Sequence, residues 1–123
     1  MDHRTRHVPP DIWIDEFKVN YTTVVSEMKR KLRPGVDCLV LQTVHAVRGL
    51  AHTYSLMINV AVKEVAKELD LPLFPVDEVV RNCPAEVLLD NMHLSKAANA
   101  VVSEALLRYI NVYHICDSNT VQR

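Results

Sequence analysis

Glycine is scarce in this chain, with 2 in 123 residues, and no serine stands in a glycine-rich turn after a strand. That absence excludes the strained strand-to-helix elbow on which many hydrolases expose a nucleophile. Long apolar runs are missing as well, so no stretch of sequence is long enough to span a bilayer. Charge of one sign is missing too: 14 Lys and Arg are mixed with 15 Asp and Glu, for a net charge of −1. There is no basic field to attract nucleic acid and no acidic block to form a solvating tail. Met1-Asp2-His3-Arg4-Thr5-Arg6-His7 has no apolar segment behind it, so no signal peptide is expected. Cysteine is limited to Cys38, Cys83 and Cys116. An odd count at wide spacing argues against a disulfide framework or a zinc knuckle. Cys38 reads as a small buried hydrophobe, and a single Cys83–Cys116 bridge is left open.

What is present suffices for a folded core. The chain is 49% hydrophobic with mean hydropathy near zero. Its length fits one domain or part of one. Residues 1–10 are polar, end in Pro9-Pro10 and read as a flexible arm. From Asp11 apolar residues recur at helical spacing: Ile14, Phe17, Tyr21, Val24, Val25, Met28 and Leu32. Pro34-Gly35 ends that helix. Cys38 to Val44 is a nearly continuous apolar run, the mark of a strand buried on both faces of a parallel sheet. A second helix is expected from Leu50 to Leu69, with Tyr54, Ile58, Ala61, Val62, Val65 and Leu69 as its buried stripe. A second strand, Leu71 to Val76, is shortened by Pro72 and Pro75 and suits an edge. Asp77 to Val80 forms a helical turn. The last helix runs from Ser95, a good N-cap, to about Tyr109.

Strands alternating with helices imply a layered α/β domain, here three-layer α/β/α with a short parallel sheet. Two strands are too few to close such a domain. Residues 11–112 therefore read as a partial domain, the C-terminal half of a larger one, and residues 113–123 as a tail. A chain of this kind completes itself by association, including self-association through an unpaired sheet edge.

Asp90-Asn91-Met92-His93, just before the last helix, is the most informative stretch. An Asp three residues before a His can turn its carboxylate onto the imidazole. It then fixes the tautomer and stabilises the imidazolium, as a general base requires. The competing reading makes Asp90 a cap for backbone N–H groups and His93 a solvated side chain. A metal site from His45, His52 and His93 is a third arrangement, although their spacing matches no standard zinc pattern. Ser26, Ser55, Ser95, Ser103 and Ser118 are nucleophile candidates only by default. Trp13 reads as a packing anchor.

From about Phe17 to Ile110 the chain resembles the C-terminal half of an SGNH/GDSL-type hydrolase, a flavodoxin-like fold. The resemblance rests on the long helix with Tyr54, Asn59 and Ala61, on Phe74 and Asp77 at the short strand, and on Asp90-x-x-His93 before the final helix. The wording Asp90-Asn91-Met92-His93-Leu94-Ser95 also resembles the PC-esterase and carbohydrate O-acyltransferase branch. It implies Asp90 and His93 as catalytic residues, an ester or O-acylated substrate, and no cofactor or metal. The family's Gly-Asp-Ser nucleophile block, its oxyanion Gly and its Gly-x-Asn-Asp block have no counterpart here. Asn20 has no preceding Gly and sits in a helical pattern, so the oxyanion Asn is not assigned to it. Two function classes follow: an esterase or acyltransferase half-domain that supplies base and orienting acid, inactive alone, or a non-catalytic module of the same fold.

Overall fold

The computed structural model describes residues 9–83, 87–90 and 92–113. Helix α1 spans Pro10–Arg30, and Pro10 occupies the first helical turn, where its missing N–H costs nothing. It packs along α2 (His52–Glu68) through Phe17, Tyr21 and Val25 against Ile58, Val62 and Val65. Trp13 stacks on Phe17 at 5.7 Å and meets Tyr54 edge-on at 4.8 Å, so it is a packing anchor between the two helices. Lys18 of α1 lies between Glu64 and Glu68 of α2, at 3.4 and 2.8 Å. Val24 and Met28, part of the apolar stripe read from sequence, stay about half exposed because α1 packs chiefly on a single helix.

The chain leaves α1 through a turn with Gly35 at φ +77°, a left-handed conformation that suits glycine. A two-pronged Arg33–Asp37 pair spans that turn. The hydrogen bond from the Arg33 side chain holds the Asp37 carboxyl down to about 2. Strand β1 is Leu41–Gln42 and pairs in parallel with β2, Leu73–Phe74. Leu41 N donates to Pro72 O at 2.9 Å and Thr43 N to Phe74 O at 3.2 Å. Pro72 is tolerated because the ladder uses its carbonyl and not an N–H. The paired stretch is far shorter than the apolar run from Cys38 to Val44. Among the described residues β1 has only β2 beside it, and the prolines end β2 on both sides.

Helix α2 follows a 3-10 turn at Gly49–Ala51, where Gly49 takes φ +82°. It ends at Asp70, left-handed at φ 54°, with Leu71 N reaching back to Ala66 O at 2.8 Å. This is a helix-ending motif in which Asp replaces the more usual glycine. Helix α3 is Val76–Arg81 and α4 is Lys96–Tyr113. Ser95 Oγ accepts from Ala98 N at 3.1 Å, the expected N-cap.

Alternation along the strands divides the core. Leu39, Leu41, Leu71 and Leu73 face α1 and α2, while Val40 and Phe74 face α3 and α4. The architecture is three-layer α/β/α around a short parallel sheet. No helix among the described residues is long and apolar enough to cross a membrane. The cysteine reading needs correction. Cys83 keeps a free thiol, so the Cys83–Cys116 bridge is not formed, and Cys38 is disulfide-bonded, not merely a small core residue. Pairing depends on which Cβ atoms the fold brings within reach, which spacing does not encode. Most of the N-terminal arm (residues 1–8) and of the C-terminal tail (114–123) lies outside the described residues, as do Cys116 and Ser118.

Candidate active site

The Asp90–His93 loop is closed from both sides. Leu88 and Leu94 form an antiparallel bridge, Leu89 N donates to His93 O at 2.8 Å, and Ser95 N donates to Val87 O at 2.7 Å. Inside this loop each oxygen of Asp90 has a separate task. Oδ1 accepts from the backbone N–H of Met92 and of His93, both at 2.7 Å. Oδ2 lies 2.8 Å from His93 Nδ1. The capping role and the imidazole contact therefore coexist in one carboxylate. The backbone bonds from His93 and Met92, then the ring contact, hold the Asp90 carboxyl well below the usual carboxylate range. An ionised carboxylate only accepts, so Nδ1 is the donor in this contact, and in the neutral form of the ring the lone pair lies on Nε2. That is the tautomer a general base needs. Both side chains are open to solvent, His93 at 76% and Asp90 at 57%.

A carboxyl held low stabilises the structure above its ordinary 3.8, and that contribution is lost as pH falls through the lowered value. The amide signals of Met92 and His93 should therefore stay unchanged as acid is added down to 3.8 and shift only below it. A transition centred at 3.8 in an NMR titration would show that the two backbone bonds do not hold the carboxylate.

His45, just past the end of β1, sets the loop's position. Its Nε2 contacts Met92 O at 2.7 Å, so the Asp90–His93 loop is tied to the carboxyl end of the sheet. That is the end at which open α/β sheets bind ligands. No local sequence signal marks this contact, because it joins residues far apart in the chain. His52 Nδ1 contacts Val47 O at 2.8 Å. Each of these two rings is thus turned to a backbone carbonyl. Among the described residues no three His, Cys, Asp or Glu side chains converge on a common point, so His45, His52 and His93 do not form a metal centre there.

The loop after β1 is fixed from α2. Asn59 accepts from Val44 N at 2.8 Å and donates to Val44 O at 2.7 Å, the pairing of a side-chain amide with one backbone unit. Ser55 Oγ donates to His52 O and accepts from Val47 N. Ser55 and Asn59 are both buried, which the apolar stripe of α2 did not anticipate. Below them, buried Thr43 donates to Asp77 Oδ1 at 2.6 Å and accepts from Asp77 N at 2.9 Å. Lys63 Nζ reaches Asp77 Oδ2 at 3.2 Å. Burial pushes the Asp77 carboxyl up, but the Thr43 and Lys63 hydrogen bonds outweigh it and leave the group below its ordinary value. Ser26, Ser55 and Ser103 lie in helices and Ser95 caps α4, so none of these four presents a nucleophile on a strand-end turn.

Two solved structures share this fold. One is a serine-to-alanine catalytic mutant of Axe2, an acetylxylan esterase from Geobacillus stearothermophilus, at TM-score 0.61 and 23% identity over 79% of this chain and 47% of that one. The other is LAE5, an alpha/beta hydrolase enzyme from the metagenome of Lake Arreo, Spain, at TM-score 0.61 and 19% identity over 84% of this chain and 48% of that one. The chain thus shares its fold with these two structures and spans about half the length of either. No protein-family model matches the sequence, and no curated protein matches it.

Proposed function

We propose that this chain is the half of an SGNH-type ester hydrolase, of the PC-esterase and O-acyltransferase kind, that carries the general base and its orienting acid. The observation that carries the reading is the Asp90 Oδ2–His93 Nδ1 contact at 2.8 Å, with Asp90 locked by two backbone N–H groups. An acetylxylan esterase whose catalytic mutant lacks a serine hydroxyl shares the fold, which supports acyl-transfer chemistry. In this reading His93 Nε2 takes the proton of a serine and returns it to the leaving alcohol, while Asp90 holds the ring and stabilises the imidazolium. The serine and the oxyanion donors belong to a nucleophile-bearing half that docks on the side of β1 with no neighbour among the described residues.

The chain alone should not hydrolyse p-nitrophenyl acetate above the buffer rate, because the nucleophile and oxyanion donors supply most of the acceleration. Joined to a Gly-Asp-Ser-bearing half-domain ahead of α1, it should hydrolyse the ester. Hydrolysis by the chain alone that disappears in His93→Ala would mean that it holds its own nucleophile. The high exposure of both side chains favours a second reading, a non-catalytic module in which Asp90 serves only to close the loop. Asp90→Asn tests the ring contact on which the first reading depends. Asn Oδ1 still accepts from Met92 and His93 N–H, so the loop stays closed in either case. In the catalytic reading the His93 ring loses its acceptor at Nδ1, and its ring 15N signals move toward the Nε2–H tautomer. Unchanged ring signals would leave only the loop-closing role.

A further inference from the structure

Beside the Asp90–His93 loop a cleft of about 450 Å³ opens beyond the carboxyl ends of both strands. One wall is the loop after β1 with Leu56 of α2, and the other is Val80, Val87 and Leu88. Arg48 and Arg81 line it, and Asp77 is the one acidic residue among its described lining. That aspartate does not neutralise the cleft. Its Oδ1 is taken by the Thr43 hydroxyl, and its Oδ2 faces Lys63 at 3.2 Å and Arg81 at 3.7 Å. One buried carboxylate thus meets two cations. The Arg81 contact is longer than a hydrogen bond, and Arg81 is 67% exposed, so its guanidinium keeps its fork of donors for another acceptor.

We propose that this cleft binds a carboxylate attached to a small apolar body. The guanidinium fork matches a planar carboxylate in a two-point contact, and the apolar walls reward an apolar substituent. Bare phosphate gains nothing from those walls and loses hydration against them. Leu88 lines the cleft and also forms the bridge that closes the Asp90–His93 loop, so the ligand lies against that loop. An ester hydrolysis releases such an acid, and under the hydrolase reading the cleft holds that product. The binding itself does not rest on that reading, and it is measured without catalysis, so its failure leaves the Asp90–His93 assignment untouched.

The test is a titration of the full chain with benzoate, benzamide and inorganic phosphate at constant ionic strength, followed by backbone amide shifts. Benzoate should move the amides of Ala46, Val47, Arg48, Val87 and Leu88 in a saturable way. Benzamide should bind about fivefold more weakly, the effect expected for losing one partly exposed ionic contact. Arg81→Gln should lower benzoate affinity by about the same factor and leave benzamide unchanged. Arg48→Gln provides a second variant on the opposite wall. Equal affinity for benzamide, indifference to both substitutions, or the same shifts with phosphate would overturn the proposal.

Discussion

Replacing Phe74 with alanine is expected to lower the unfolding free energy by about 3–5 kcal/mol, the usual cost of removing a buried phenylalanine. Phe74 is 2% exposed and sits on β2, where it anchors the sheet face under α3 and α4. Its ring lies 5.5 Å from Tyr109 of α4 at a tilted angle, so truncation removes an aromatic contact as well as apolar area. The sheet has two strands of two paired residues each, so little backbone is available to close over the cavity. Phe74→Leu should cost markedly less, because it keeps most of the volume. Urea unfolding of the three proteins, followed by circular dichroism, measures the differences. A loss below about 1 kcal/mol for alanine would mean that the layer under α4 is loosely packed.

In the form joined to a nucleophile-bearing half, His93→Ala is expected to lower kcat by roughly four to six orders of magnitude, as removal of a triad base does elsewhere. Asp90→Asn should cost about four orders, because the loop stays closed while the ring loses the acceptor that selects its tautomer. KM should change little in both, since neither side chain lines the cleft that would hold the acid. His45→Ala separates position from chemistry. Its Nε2–Met92 O contact ties the loop to β1, so its loss should lower kcat by a smaller factor and leave the ring 15N signals of His93 in place. Steady-state kinetics with p-nitrophenyl acetate distinguish these outcomes. Equal activity of the parent and His93→Ala would remove His93 from the mechanism.

The helices and the order of elements were legible because their signals are local. Phe17, Tyr21 and Val25 repeat at helical spacing, Pro34-Gly35 stops α1, and Ser95 caps α4. Asp90 and His93 were legible for the same reason, being three residues apart in one tight loop. The strands were overestimated, since an apolar run gives burial but not the number of paired neighbours. Ser55 and Asn59 broke the apolar stripe of α2 because they hold the loop after β1, a partner that no helical period can reveal. The cysteine pairing, left open by the sequence, was not legible on the same ground.

By itself, then, the sequence determined three layers of α and β structure and a carboxylate beside an imidazole, both set by contacts within a few residues. Only the tertiary structure decided that His45 anchors the loop at Met92, that Thr43 and Lys63 hold Asp77 charged, and that Arg81 is left with donors over a cleft. Each of those contacts joins residues more than a dozen positions apart, except the pair between Arg81 and Asp77. Chain closure over such separations is settled by the packing of whole elements, not by any local preference.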